Sequence, residues 1–140
     1  MPPPTDDPSQ EPREQSLSEV VESVGVYPLE AFHFVQQGLA FSVDQFHGGN
    51  IPAQPEDRHI SGQQLCEGLR QFALTKWGML ARTVLTRWQI TSTMDFGRIV
   101  FALIDAGHMQ KTDRDSIEDF RNVYDFKSAF EAGYRIESNT

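Results

Sequence analysis

Residues 61–120 constrain the fold most, because their apolar side chains recur every three or four positions in three successive runs. This spacing places one apolar stripe along each helix, and such a stripe is normally buried against neighbouring helices. Gly78 and residues 91–93 separate the runs and are residue types that end or begin helices. The sequence therefore predicts three helices, over residues 61–77, 79–89 and 94–106, that share one core.

The apolar stripes of these helices define an expected core. Both tryptophans fall on the stripes, which favours a core role over an exposed platform for stacking nucleic-acid bases. The residues expected to face inward are Leu65, Cys66, Leu69, Phe72, Ala73, Trp77, Leu80, Ala81, Val84, Leu85, Trp88, Phe96, Ile99, Val100, Leu103 and Ile104.

Helix-start signals also lie on both sides of this stretch. Ser16 and Glu19 have the spacing of a capping box, and the short helix that follows is expected to end at Gly25. Pro28 suits the start of a long amphipathic helix that extends to about residue 46. After a polar, turn-rich segment, Asp115 or Ser116 is expected to cap a last short helix.

These elements predict a mainly α protein, a compact domain of about five helices over residues 16–136. Residues 1–15 are acidic and contain five prolines, so they are predicted to form a disordered tail. The alternative is a winged-helix-like α+β core, in which residues 111–116 form a small hairpin.

Composition excludes several classes of protein. The 140 residues contain no apolar run long enough to span a bilayer, and the N-terminal residues do not resemble a signal peptide. The only cysteine, Cys66, leaves no internal disulfide, which favours a reducing cytoplasm. A net charge of −8 disfavours binding to nucleic acid or to an anionic membrane surface.

Catalytic and metal-binding motifs are not evident. Cys66 lies in the apolar register of its helix, where a buried thiol is the ordinary interpretation. The four histidines lack the close ligand spacing of zinc sites. The chain contains no phosphate-binding glycine loop and no nucleophile elbow. We therefore expect no catalytic residue, no metal and no cofactor.

Two features remain as candidates for a binding surface. One is the long loop between His47 and His59. The other is the basic stretch over residues 61–98, which contains five lysines and arginines but only two acidic residues. Arg82, Arg87 and Arg98 lie in this stretch, and guanidinium groups bind phosphate in a bidentate manner.

The placement of these side chains distinguishes three functions. Arginines on one open face, with Arg70 among them, favour phosphate binding, whereas arginines paired with acids such as Asp95 favour a structural role. Convergence of His47 or His59 with acids in a pocket favours chemistry. In a helix-turn-helix protein Asp95 would begin the recognition helix and face phosphates, which argues against DNA binding.

Several segments resemble a small uncharacterised family of conserved bacterial proteins, over about residues 26–126. The matching runs are YPLEAF at 27–32, HISGQQL at 59–65, LARTVL at 80–85 with Trp88, DFGRIVF at 95–101, DF at 119–120 and VYDF at 123–126. The resemblance implies a bacterial cytoplasmic protein and brings no catalytic or binding residues with it.

The leading hypothesis is a non-enzymatic protein-interaction or regulatory module with a protein partner. Its contact surface would comprise His47, His59, Arg82, Arg87 and Arg98. The alternative is a helix-turn-helix-like protein that associates with nucleic acid or the ribosome.

Overall fold

A computed structural model describes residues 15–48, 59–112 and 115–131, and these residues confirm the mainly helical class. The helices are α1 (Leu17–Val24), α2 (Leu29–His47), α3 (Gly62–Trp77), α4 (Ala81–Arg87) and α5 (Thr93–Asp105). Short 3₁₀ helices occupy Gly78–Leu80 and Ile117–Phe120, and residues 126–131 are helical. The described residues contain no strand, so the winged-helix alternative gains no support from them. The predicted tail over residues 1–15, except Gln15, and most of the loop after His47 lie outside the described residues.

The predicted capping boxes at Ser16 and Ser61 are both present. The Ser61 hydroxyl accepts a hydrogen bond from the backbone N–H of Gln64 at 3.1 Å, and the Gln64 side chain accepts from the Ser61 N–H at 2.8 Å. Ser16 and Glu19 make the same reciprocal pair. Ser116 caps the second 3₁₀ helix by accepting from the N–H of Glu118. These starts follow from contacts between residues three apart, which a sequence pattern detects directly.

Small residues allow α2 and α3 to approach each other closely. A Cβ atom added at Gly68 would lie 1.7 Å from the Oγ of Ser42, and one at Gly38 would lie 2.2 Å from a methyl carbon of Leu69. Ser42 is fully buried, and its hydroxyl donates to the Gly38 carbonyl at 2.7 Å. The two helices therefore pack at a distance that larger side chains would not permit.

Aromatic rings fill the core beside this contact. Phe34 of α2 lies 5.2 Å from the ring of Trp77 and 5.9 Å from that of Trp88. Both tryptophans are half-buried against the core, as their register predicts. This aromatic cluster joins the end of α3 to the end of α4 and to the first half of α2.

The turn between α3 and α4 departs from the predicted pattern. Leu80 was expected to face inward, but its side chain is 60% exposed, and the neighbouring Met79 is 66% exposed. The reason is the 3₁₀ helix at Gly78–Leu80, which has three residues per turn and shifts residues before Ala81 out of the α-helical register. The inward stripe of α4 starts only at Ala81 and continues at Leu85, both fully buried.

The segment after α5 folds back over α3 and α5. Thr93 donates its hydroxyl to the carbonyl of Phe120 at 2.6 Å and accepts from the N–H of Val123 at 3.1 Å. The Tyr124 hydroxyl donates to the carbonyl of Cys66 at 2.7 Å. Cys66 is fully buried, as predicted, and burial raises the pKa of its thiol to about 12.

Candidate functional site

An open cleft of about 630 Å³ lies where α2, the start of α3 and the second half of α5 meet the chain that follows α5. Its lining divides into an apolar wall from the helices and a largely polar rim from residues 59–61, 108–112, 115–116 and 119. The cleft lining includes Leu39, Ala40, Val43, His59, Phe101, Ile104, Met109, Lys111, Thr112, Asp115, Ser116 and Asp119.

The apolar wall consists of side chains that continue the core stripes to the edge of the helix contacts. Leu39 and Val43 lie one turn apart on α2, and Phe101 and Ile104 lie one turn apart on α5. All four side chains are half-buried, because the core covers one side of each and the cleft leaves the other side open. The wall therefore presents apolar surface that a ligand could cover.

The polar rim is held in place by hydrogen bonds among its own members. His59 Nε2 lies 3.0 Å from Asp115 Oδ1, and Asp115 Oδ2 accepts from the backbone N–H of Thr112 at 2.7 Å. Asp119 Oδ2 accepts from the N–H of Ser116 at 3.1 Å. The rim thus offers two carboxylates with defined orientations, and Lys111 adds an ammonium group.

Of the two predicted histidines, only His59 lines the cleft. His47 lies behind it, with its Nε2 atom 3.3 Å from the carbonyl oxygen of His59. The structure therefore brings the two predicted loop-end residues together and places His59 beside Asp115. A histidine therefore lies beside an acid at a pocket, which is the placement that the sequence analysis links to chemistry.

The predicted arginines do not lie together at this cleft. Arg82 and Arg87 are exposed on α4, which contributes nothing to the cleft lining. Arg98 pairs with Asp95 at 2.7 Å, and Arg70 pairs with Glu67 at 2.9 Å. Two of the four arginines are therefore paired with acids, and the other two are exposed away from the cleft.

Asp95 is paired with Arg98, which is the placement that favours a structural role over phosphate binding. Its side chain is buried and accepts from the hydroxyl of Tyr27 at 2.5 Å and from the backbone N–H groups of Thr91 and Ser92. Burial alone would raise the pKa of Asp95, but these hydrogen bonds and the charge of Arg98 lower it below its ordinary value. Asp95 therefore joins the start of α5 to the chain before α2.

The raised pKa of Tyr27 makes the stability of the protein depend on pH in the alkaline range. Burial, followed by the hydrogen bond to Asp95, raises the pKa of Tyr27 to about 12. A folded-state pKa raised above the unfolded value of about 10 means that the stabilisation is complete below pH 10 and is lost as pH rises toward 12. We expect Tyr27→Phe to cost about 1–2 kcal/mol at neutral pH and to reduce the alkaline loss, part of which the buried Cys66 and Tyr124 also cause. Urea unfolding at several pH values between neutral and alkaline checks both effects, and an unchanged alkaline slope would contradict the assignment.

Sequence patterns did not identify most of the cleft. Lys111, Asp115 and Asp119 lie in a polar segment that predicts turns and caps, and both aspartates do act in turns and caps. Their position beside His59 depends on the path of the chain after α5, which local patterns do not encode. Within the described ranges, no group of three or more histidine, cysteine or acidic side chains is arranged to hold a metal ion.

Comparisons with protein-family models, with curated proteins and with solved structures find no match for this chain. Among the described helices, none combines the length and the apolar character that crossing a membrane requires.

Proposed function

We propose that this protein is a non-enzymatic regulatory module that binds a small amphiphilic molecule in the cleft between α2, α3 and α5. The observation that carries the proposal is the cleft itself, about 630 Å³ with an apolar wall on one side and a polar rim on the other. Sites for small molecules typically enclose about 300–1,000 Å³ and combine apolar walls with a few oriented polar groups.

The division of the lining indicates the class of ligand. An apolar body would cover the half-buried side chains of Leu39, Val43 and Ile104. A head group with both donors and acceptors would meet the carboxylate of Asp119 and the ammonium of Lys111. Hydrogen bonds within the rim already orient its carboxylates, so these side chains lose little conformational freedom when a ligand binds.

The pairing of His59 with Asp115 is the placement that favours chemistry, and the proposal of binding rests instead on its surroundings, an apolar wall opposite a rim whose carboxylates already accept from backbone N–H groups. His59 and Asp115 are engaged with each other, which fixes a hydrogen-bonding surface. The one thiol of the chain is buried in α3, and burial raises its pKa to about 12, so it is neither accessible nor ionised.

The setting we propose is the bacterial cytoplasm. The resemblance of residues 26–126 to a family of bacterial proteins supports this, as does a chain whose single cysteine is a free, buried thiol.

Filling the cleft from α2 should abolish ligand binding. Ala40 lines the cleft but is itself exposed, so Ala40→Trp adds an indole to the cleft without disturbing the core. We expect octyl glucoside, a neutral amphiphile used below its micelle-forming concentration, to shift backbone NMR signals at the cleft. We expect Ala40→Trp to weaken that binding by roughly tenfold or more.

The matched control is Gln45→Trp, an exposed position on the same helix that is not part of the cleft lining. This variant should bind the probe as the parent protein does. Equal binding by the parent and Ala40→Trp, or signal changes that lie only outside the cleft, would refute the proposal.

A further inference from the structure

We infer that the exposed face of α4 is a docking surface for an acidic protein segment that carries an apolar anchor. This surface consists of Lys76, Met79, Leu80, Thr83, Arg82 and Arg87, and we call it the α4 face. It shares no residue with the cleft lining, so the inference is independent of the proposed function.

The apolar part of the α4 face is Met79 and Leu80, exposed by 66% and 60%. They are the most exposed large apolar side chains in the described part of the chain. Isolated exposed residues need no explanation, but these two are adjacent and project from a turn next to the half-buried Trp77. The Trp77 and Trp88 rings are 5.5 Å apart and form a packed base beneath this turn.

The charge of this region is opposite to that of the whole chain. Residues 68–94 contain four basic residues and no acidic residue, in a protein of net charge −8. Arg70 is paired with Glu67, which leaves Lys76, Arg82 and Arg87 to set the charge of the α4 face. The ammonium of Lys76 lies 5.7 Å from the centre of the Trp77 ring, which holds this charge beside the apolar turn.

One acid lies at the edge of the α4 face. Hydrogen bonds from Ser128 lower the pKa of Asp125, and the charge of Arg82 adds to that effect. Asp125 therefore offsets part of the Arg82 charge. Arg87 lies one helical turn beyond Thr83 on the exposed side of α4, and Leu80 ends the 3₁₀ turn from which the same helix begins.

This combination fits a protein partner better than it fits nucleic acid or a membrane. Exposed apolar anchors beside arginines are typical of the centres of protein–protein interfaces. A phosphate backbone would leave Met79 and Leu80 uncovered, and two adjacent apolar side chains insert too little surface to hold this chain at a lipid bilayer. An acidic amphipathic segment supplies both a complement to the charge and a side chain to cover Leu80.

The test uses the full chain and two labelled helical peptides that differ only in charge. Both peptides have leucines at a helical spacing, with glutamates in one and lysines in the other at all remaining positions. At low salt, we expect fluorescence anisotropy to show that the glutamate peptide binds roughly tenfold more tightly than the lysine peptide. The double variant Arg82→Glu and Arg87→Glu should reverse that preference, and Leu80→Ser should weaken binding of the glutamate peptide roughly fivefold.

Two exposed positions away from the α4 face provide matched controls. Val26→Ser removes an apolar side chain that is 55% exposed, and Arg121→Glu reverses an exposed charge. Both variants should bind the glutamate peptide as the parent protein does. Equal binding of the two peptides to the parent, or tighter binding of duplex DNA or anionic vesicles than of the glutamate peptide, would overturn the inference.

Discussion

Asp95→Ala is expected to cost about 3–5 kcal/mol of unfolding free energy, the largest loss among the substitutions considered. The carboxylate is 6% exposed and accepts hydrogen bonds from Tyr27, from Arg98 and from two backbone N–H groups. Its removal leaves a buried tyrosine hydroxyl, and the N–H groups of Thr91 and Ser92 just before α5, without their acceptor. Urea unfolding followed by circular dichroism measures the loss.

The pH dependence identifies the charge of Asp95 as the source of this stability. The folded-state pKa lies below the unfolded value of about 3.9, so the stabilisation is complete above that pH and is lost as pH falls through the folded-state pKa. The difference in stability between the parent protein and Asp95→Ala should therefore shrink below about pH 4. Asp95→Asn, which keeps the shape and one acceptor, should lose less than the alanine variant. If the difference in unfolding free energy between the parent protein and Asp95→Ala is the same at neutral and acid pH, the charge of Asp95 does not contribute to stability and only its shape does.

Gly68→Ala is expected to destabilise the fold by about 2–3 kcal/mol, although alanine normally favours a helix by about 1 kcal/mol over glycine. The new Cβ would lie 2.5 Å from the Ser42 Cβ and 3.2 Å from its Cα. The position of the Ser42 Cβ is fixed by the backbone of α2, so rotation of the serine side chain cannot relieve the first contact and the helices must separate. Thermal or urea unfolding provides the measurement.

A double-mutant cycle tests the cause of this loss. Ser42→Gly removes the side chain that the new methyl group would meet, so Gly68→Ala should cost less than about 1 kcal/mol in that background. The two substitutions together replace the hydroxymethyl group on α2 by a methyl group on α3, so the contact again pairs one glycine with one small side chain. An equal cost of Gly68→Ala in both backgrounds would locate the loss elsewhere than the contact between α2 and α3.

Features that depend on near neighbours in the chain were predictable from sequence. The capping boxes at Ser16 and Ser61 involve residues three apart, and the burial of Leu69 and Phe96 follows from helical spacing. Leu80 shows where such reasoning fails, because a single 3₁₀ turn changes the period and turns an expected core residue outward. Met79 and Ala81, which flank Leu80, do not indicate in the sequence that the helical period changes there.

Features that join distant parts of the chain were not predictable. Tyr27 and Asp95 are 68 residues apart, so their hydrogen bond depends on how α1, α2 and α5 pack. His59 precedes α3 and Asp115 follows α5, so their contact also depends on how these helices pack. The histidine was identified from sequence because it lies next to a long loop, whereas its acidic partner was expected only to cap a helix.

An amphiphilic ligand in the cleft between α2, α3 and α5 can be located by an isotope-filtered nuclear Overhauser experiment on the protein with octyl glucoside. We expect contacts from the octyl chain to the side chains of Leu39, Val43 and Ile104, with the sugar nearer Lys111. Contacts to Met79 and Leu80 alone, or no contact with the cleft side chains at millimolar probe, would contradict the proposed function.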